Sequence, residues 1–186
     1  MVIEFSVLIF LIITILYLGI SSIYMKIKNI SICYETKALN FCLYISIFFI
    51  IALTLFPIKL GYEFEGFQVF NIVPFKIILT FLFKYPLKDF ILNVIGNIVL
   101  FVPFGFFICF KFNNRFKAFL AVFIMTLSVE LIQGFIPYRY CDIDDIILNT
   151  FGGLIGIITY NVFTYILDNI LKKYRLLSNL YFFKSI

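Results

Sequence analysis

Four carboxylates gather in the last third of a 186-residue chain: Glu130 in SVELIQ, and Asp142, Asp144 and Asp145 in CDIDD, with Arg139 just ahead of them. Helical spacing of ~100° per residue collects further polar groups into stripes. Asn93 and Asn97 lie four apart, Thr126, Glu130 and Gln133 share a face, and Asp145 lines up with Asn149, Gly152 and Gly156. Such residues suit three kinds of chemistry. Amides and an arginine can bind a polar headgroup while the acids set its charge. Carboxylates can hold Mg²⁺ or Mn²⁺ through oxygen ligands, or divide into acid and base. A lone intramembrane glutamate can carry a proton. Against an enzyme, the chain has no histidine, no evident serine–base pair and no cysteine cluster suited to zinc. The residues assigned to binding are therefore Asn93, Asn97, Glu130, Gln133, Arg139, Asp142, Asp145 and Asn149, with no catalytic residue, metal-ligand set or cofactor assigned.

The elements that must position these groups are set by hydropathy. The chain is 63% hydrophobic and 13% charged, with a mean hydropathy of +1.10, whereas soluble domains carry about 25% charged residues. Mostly apolar runs long enough to span a bilayer, about 20 residues, lie at roughly 3–25, 39–59, 90–111, 116–136 and 145–171. None alternates as a barrel strand would. The fold class expected is all-α, a polytopic membrane bundle of about five transmembrane helices. The first run has Glu4 in place of a basic cluster and is too long for a signal-peptide core, so it reads as a retained helix.

Basic flanks orient the bundle. Lys26, Lys28, Lys37, Lys111, Arg115, Lys117, Lys172, Lys173, Arg175 and Lys184 fall on one side. Lys59, Lys76, Lys84, Lys88 and Arg139 fall on the other, with Glu4, Glu63, Glu65, Asp89 and the three aspartates. The expectation is a multi-pass protein of the cell membrane, N-terminus outside and C-terminus cytoplasmic. The net charge of +5 is then a topological signal, and scattered basic residues give no nucleic-acid surface. Cys33, Cys42 and Cys109 sit near the inner side and Cys141 outside, which makes a disulfide framework improbable.

Three units follow: two N-terminal helices at 1–60, a domain at 61–171, and a basic cytoplasmic tail at 172–186. The outer connection at 60–89 is long for a bundle loop. Its second half, FKIILTFLFKYPLKDF, mixes lysines with apolar residues as an interfacial helix does. A re-entrant dip around NIVPF requires neighbouring helices to satisfy its backbone.

Each polar stripe starts at the outer end of its helix, so the acids face a polar site recessed into the outer leaflet. Glu130, six residues inside the expected helix end, would lie ~9 Å deep at 1.5 Å per residue, with Arg139 as the nearest candidate partner. Blander readings compete with this. Glu130 can be interhelical glue, Asp144 an ordinary first-turn acid, the glycines packing residues, and Pro103 a kink.

Taken together, NIVPF (71–75), NVIGNIVLFVPFG (93–105), SVELIQ (128–133) and RYCDIDDIILNTFGGLIG (139–156) resemble the VanZ-like family of bacterial membrane proteins. The likeness covers about residues 60–165. It points to Asn71, Pro74, Phe75, Asn93, Gly96, Asn97, Pro103, Gly105, Ser128, Glu130, Gln133, Arg139, Asp142, Asp145, Asn149 and Gly153. It implies a cell-envelope protein related to the one that gives low-level resistance to teicoplanin-type lipoglycopeptides without changing the peptidoglycan precursor terminus. The expected partners are membrane lipids and a lipid-linked envelope precursor or lipoglycopeptide; a homo-oligomer is also open. The Ile, Phe, Lys and Asn bias suggests an AT-rich, Gram-positive source. The leading expectation is a non-enzymatic outer-leaflet binding pocket contributing to glycopeptide tolerance. The alternatives are an intramembrane enzyme modifying an envelope lipid and a small flippase or transporter, the latter weakened by five helices without an inverted repeat.

Overall fold

A computed structural model describes the backbone of residues 2–3, 7–27, 34–59, 66–112 and 114–183. Glu4, Lys28, Cys33, Glu63, Glu65 and Lys184, which entered the charge map and the cysteine argument, lie outside the described residues. The bundle is built from α1 (Val7–Ile27), α2 (Tyr34–Leu55), α5 (Gly96–Phe112), α6 (Arg115–Gln133) and α7 (Ile143–Phe183). Between α2 and α5 come two short helices, α3 (Lys76–Lys84) and α4 (Leu87–Phe90), and a π-helical turn at Ile91–Ile95.

All five helices overlap the apolar runs, and α7 continues to Phe183, past the end of its run at 171. Four stretches are long and apolar enough to cross a bilayer: Thr36–Leu55, Leu87–Phe112, Arg115–Gln133 and Ile143–Lys172; α1 contains the shorter apolar stretch Phe10–Ile23. Their outward faces are apolar. Ile15, Leu53 and Ile158 are each at least 60% exposed, as expected of side chains that face acyl chains rather than water.

Inside, Phe101, Phe104 and Ile108 of α5 pack with Val122 and Val129 of α6, Ile157 of α7 and Ile50 of α2. Lipid supplies no hydrophobic drive between helices, so close backbone approach must. The α5–α7 seam achieves this with glycine. A Cβ on Gly105 would strike the Gly153 backbone; one on Gly152 or Gly156 would strike the carbonyls of Ile98 or Val102. The packing role read from the glycine spacing is what the structure contains.

The outer connection is tied down by local pairing. Strand β3 (Val69–Asn71) runs parallel to β4 (Cys141–Asp142), with Val69 opposite Cys141 and Asn71 opposite Asp142. Gln68 extends the seam, its N–H donating to the Gly134 carbonyl at 2.9 Å and its own carbonyl accepting from Cys141 at 3.1 Å. Just past the C-terminal end of α2, β2 (Ile58–Lys59) pairs antiparallel with β1 (Val2–Ile3).

A π-helical turn lies at Ile91–Ile95, and Pro103 falls inside α5. One local expectation changes: α6 stops at Gln133, which leaves Glu130 only ~4.5 Å inside the helix end at 1.5 Å per residue. Depth along the helix therefore does not explain its burial. The Gly134–Asp142 connection folding back over it does.

Candidate functional site

Asp144 organises the site through backbone alone. Its Oδ1 accepts from the Phe75 N–H, and its Oδ2 accepts from Ile77 at 2.7 Å and Ile78 at 3.2 Å. These are the orphan donors at the start of α3, which has no side-chain cap of its own. A carboxylate from the start of α7 thus caps α3 across nearly 70 residues, and the macrodipole favours its charge there. Phe75 reaches this geometry at φ 64°, a left-handed conformation that costs a non-glycine residue about 1–3 kcal/mol. Charge-assisted bonds to Asp144 offset that cost. Asp144 is completely buried, so the ordinary first-turn acid expected from the sequence is a tertiary cap.

Asp142 anchors the next layer. Its Oδ1 accepts from Asn71 Nδ2 at 3.0 Å and from the Asp144 N–H at 2.9 Å, while its own N–H donates to Glu130 Oε2 at 3.0 Å. Asn71 in turn holds the NIVPF turn by accepting from the Val73 N–H. Glu130, 1% exposed, is thereby the acceptor that fixes β4 to the last turn of α6.

Asp145 Oδ1 accepts from Asn97 Nδ2 at 2.7 Å, which links α7 to α5. Asn93, in the π-helical turn, donates to the Asp89 carbonyl at 2.8 Å and stays exposed. Such turns are common at functional sites. Together Asn93, Asn97, Asp142, Asp144 and Asp145 line a cavity of about 170 Å³. Ile77, Ile78, Phe81, Val94 and Leu148 complete its lining. Among the described residues, the second carboxylate oxygens of Asp142 and Asp145 have no hydrogen-bond donor. Among the described residues no lysine or arginine lines the cavity, so its polar groups are amides and carboxyl groups.

The other members of the expected set lie elsewhere. Gln133 donates to the Thr54 carbonyl at 2.8 Å and Arg139 to the Phe56 carbonyl at 2.9 Å, so both brace the end of α2. Arg139 is not the partner of Glu130: among the described residues no ion pair joins them, and Glu130 takes a backbone N–H instead. Asn149 is buried one turn along α7 from Asp145, and Thr126 of α6 is buried as well. Asn149 Oδ1 and Thr126 Oγ1 find no partner among the described residues. Residues missing from the expected set are Asp144 as the α3 cap and Asn71 as the Asp142 partner; Asn71 carried a signal in the NIVPF motif.

The donor set does not converge on a cation. Asp144 spends its oxygens on α3 and Asp142 shares Oδ1 with two donors, and among the described residues no three acidic, cysteine or histidine side chains are grouped to hold a metal ion. Beside the site, burial pushes the Cys141 thiol above its ordinary value, and the carboxyl groups of Glu130, Asp142 and Asp145 push it further.

With this geometry established, likeness to known proteins is informative. A model of the VanZ/LLP1 family matches residues 41–164, which contain every residue named above in the site. Protein VanZ of Enterococcus faecium is 33% identical over 72 residues, which cover 38% of this chain and 45% of that protein. The match therefore spans less than half of that relative's length. No solved structure matches the chain.

Proposed function

Because the chain belongs to the VanZ/LLP1 family, we propose that its acidic cavity engages an amine-bearing polar headgroup at the membrane surface, of an envelope lipid or of the lipid-anchored part of a teicoplanin-type glycopeptide, and so contributes to glycopeptide tolerance. The observation that carries this reading is the mixed lining: Asp142 and Asp145, each with one carboxylate oxygen that takes no donor among the described residues, share one small space with Ile77, Ile78 and Phe81. An amine can be held by the acids while its apolar neighbour lies against α3.

Size narrows the reading. Pockets for drug-sized ligands run to about 300–1,000 Å³, so a cavity of about 170 Å³ fits a headgroup fragment and not a whole glycopeptide. The excess of Lys and Arg at the opposite helix ends supports an outward-facing cavity, with the N-terminus outside and the C-terminus cytoplasmic.

Thermal melting in lipid nanodiscs tests the proposal, since a ligand that binds only the folded state raises its apparent stability. Phosphatidylethanolamine discs should raise the Tm of the wild type above that in phosphatidylcholine discs of equal chain length, and Asp145→Asn should lose the difference. Equal melting of the wild type in both discs would overturn the headgroup reading.

A further inference from the structure

A second furrow lies on the opposite face of α5, between α2 and α5, away from the acidic cavity. Where α5 meets α7, glycines bring the backbones together. Where it meets α2, two cavities open between larger side chains. One, about 450 Å³, is almost wholly apolar, walled by Phe41, Ile45, Phe49 and Leu53 of α2 and by Val99 and Pro103 of α5. The other, about 380 Å³, lies at the end of the helices away from the acids and includes Thr36, Asn40 and Lys111. Phe107 lines both, so the two are neighbours along the same helix pair.

We propose that this furrow is a binding site for one anionic phospholipid, its phosphate at Lys111, Thr36 and Asn40 and an acyl chain lying along α2 toward Leu53. The dimensions agree: Asn40 to Leu53 on α2 spans ~20 Å at 1.5 Å per residue, and half the hydrocarbon core of a bilayer is about 15 Å. Polarity agrees as well. The hydroxyl and amide of Thr36 and Asn40 and the exposed ammonium of Lys111 stand only at the mouth, where a headgroup would be, and a basic residue at that level attracts anionic lipid. Along the slot, Phe49, Leu53 and Val99 remain half or more exposed, as the walls of an unfilled groove would be.

Charge at the mouth commits the site to a lipid in preference to a second copy of the chain, whose α2–α5 face would bring two Lys111 ammonium groups to the same interface by two-fold symmetry.

Native mass spectrometry of the full chain released from mixed phosphatidylglycerol and phosphatidylcholine micelles tests this. The wild type should retain one phosphatidylglycerol in preference to phosphatidylcholine. Lys111→Gln should lower that preference about fivefold, and Val99→Phe, which fills the slot from its exposed side, should abolish retention of both lipids. Melting curves matching the wild type would show that each variant is folded; if Val99→Phe does not fold, Leu53→Phe closes the slot from α2. Retention unchanged in Lys111→Gln and in the filled variant would mean annular lipid only and would overturn the proposal. So would a disulfide forming between two copies of Val99→Cys. Asp145→Asn, which lies in the acidic cavity, should leave retention as in the wild type, so failure here and failure of the headgroup reading are separable.

Discussion

The backbone N–H of Asp142 donates to Glu130 Oε2 at 3.0 Å, and through it the loop bearing the acids is fastened to the end of α6. A buried acceptor that serves a backbone donor can be replaced by another acceptor but not by a methyl group. Glu130→Gln should therefore cost little, and Glu130→Ala about 2 kcal/mol by leaving the Asp142 N–H unpaired. Thermal melting of the two variants checks this; equal losses would contradict it.

Glu130 and Arg139 serve different parts of the fold, one holding β4 and the other the Phe56 carbonyl. Their substitutions should add. In a double-mutant cycle, Glu130→Gln with Arg139→Ala should show a coupling under ~0.5 kcal/mol. A recovery of stability in the double mutant would restore the buried ion pair that the sequence alone suggested.

Asp144 is the cap of α3, and its loss strands three backbone donors. Asp144→Ala should destabilise the protein by about 3 kcal/mol, and amide exchange should quicken first at Phe75, Ile77 and Ile78. Uniform exchange across α3 and α7 would mean that the cap is not what holds α3.

These relationships mark how far the sequence could be read. Apolar length alone located the helices, and glycine spacing marked α7 as a packing helix without naming α5 as its partner, because both signals are local. The acids were visible as a cluster, and Asn97 with Asp145 proved to be direct partners. What stayed hidden were bonds to the backbone. Gln133 and Arg139 end on the carbonyls of Thr54 and Phe56, and Asp144 on the N–H groups of α3. Backbone groups are the same in every residue, so nothing in the letters distinguishes these partners. The nearest charged side chain was the wrong guess for Glu130 for that reason, and a helix end three residues earlier than expected removed the depth argument.

The glycine seam makes a graded prediction. Gly156→Leu and Gly152→Leu should prevent accumulation in the membrane, since each side chain would meet a carbonyl of α5. On α1, a Cβ added at Gly19 would meet nothing within 4 Å, so Gly19→Ala should be neutral or gain up to ~1 kcal/mol from helix propensity. Immunoblots of membrane fractions separate the cases, and normal levels of Gly156→Leu would contradict the seam.

Cys141 reports both side and electrostatics. Only the thiolate reacts, and its raised position means that labelling by an impermeant maleimide should be slow at pH 7 and climb by about tenfold per pH unit toward pH 9. Asp142→Asn, by removing one of the acids that disfavour the thiolate, should speed labelling at fixed pH. Labelling confined to lysed cells would reverse the proposed orientation, and a rate independent of pH would contradict the assignment of the thiol to this environment.

The central claim is that open carboxylates beside an apolar wall handle a lipid-anchored amine at the outer leaflet, and its most direct measurement is drug tolerance of a susceptible Gram-positive host. Expression of the wild type should raise the inhibitory concentration of teicoplanin, which carries a fatty chain, several-fold more than that of vancomycin, which has none. Asp145→Asn, accumulating to the same level, should erase the difference. Equal potency of both drugs against cells expressing the wild type, or a full teicoplanin effect in Asp145→Asn, would contradict the account.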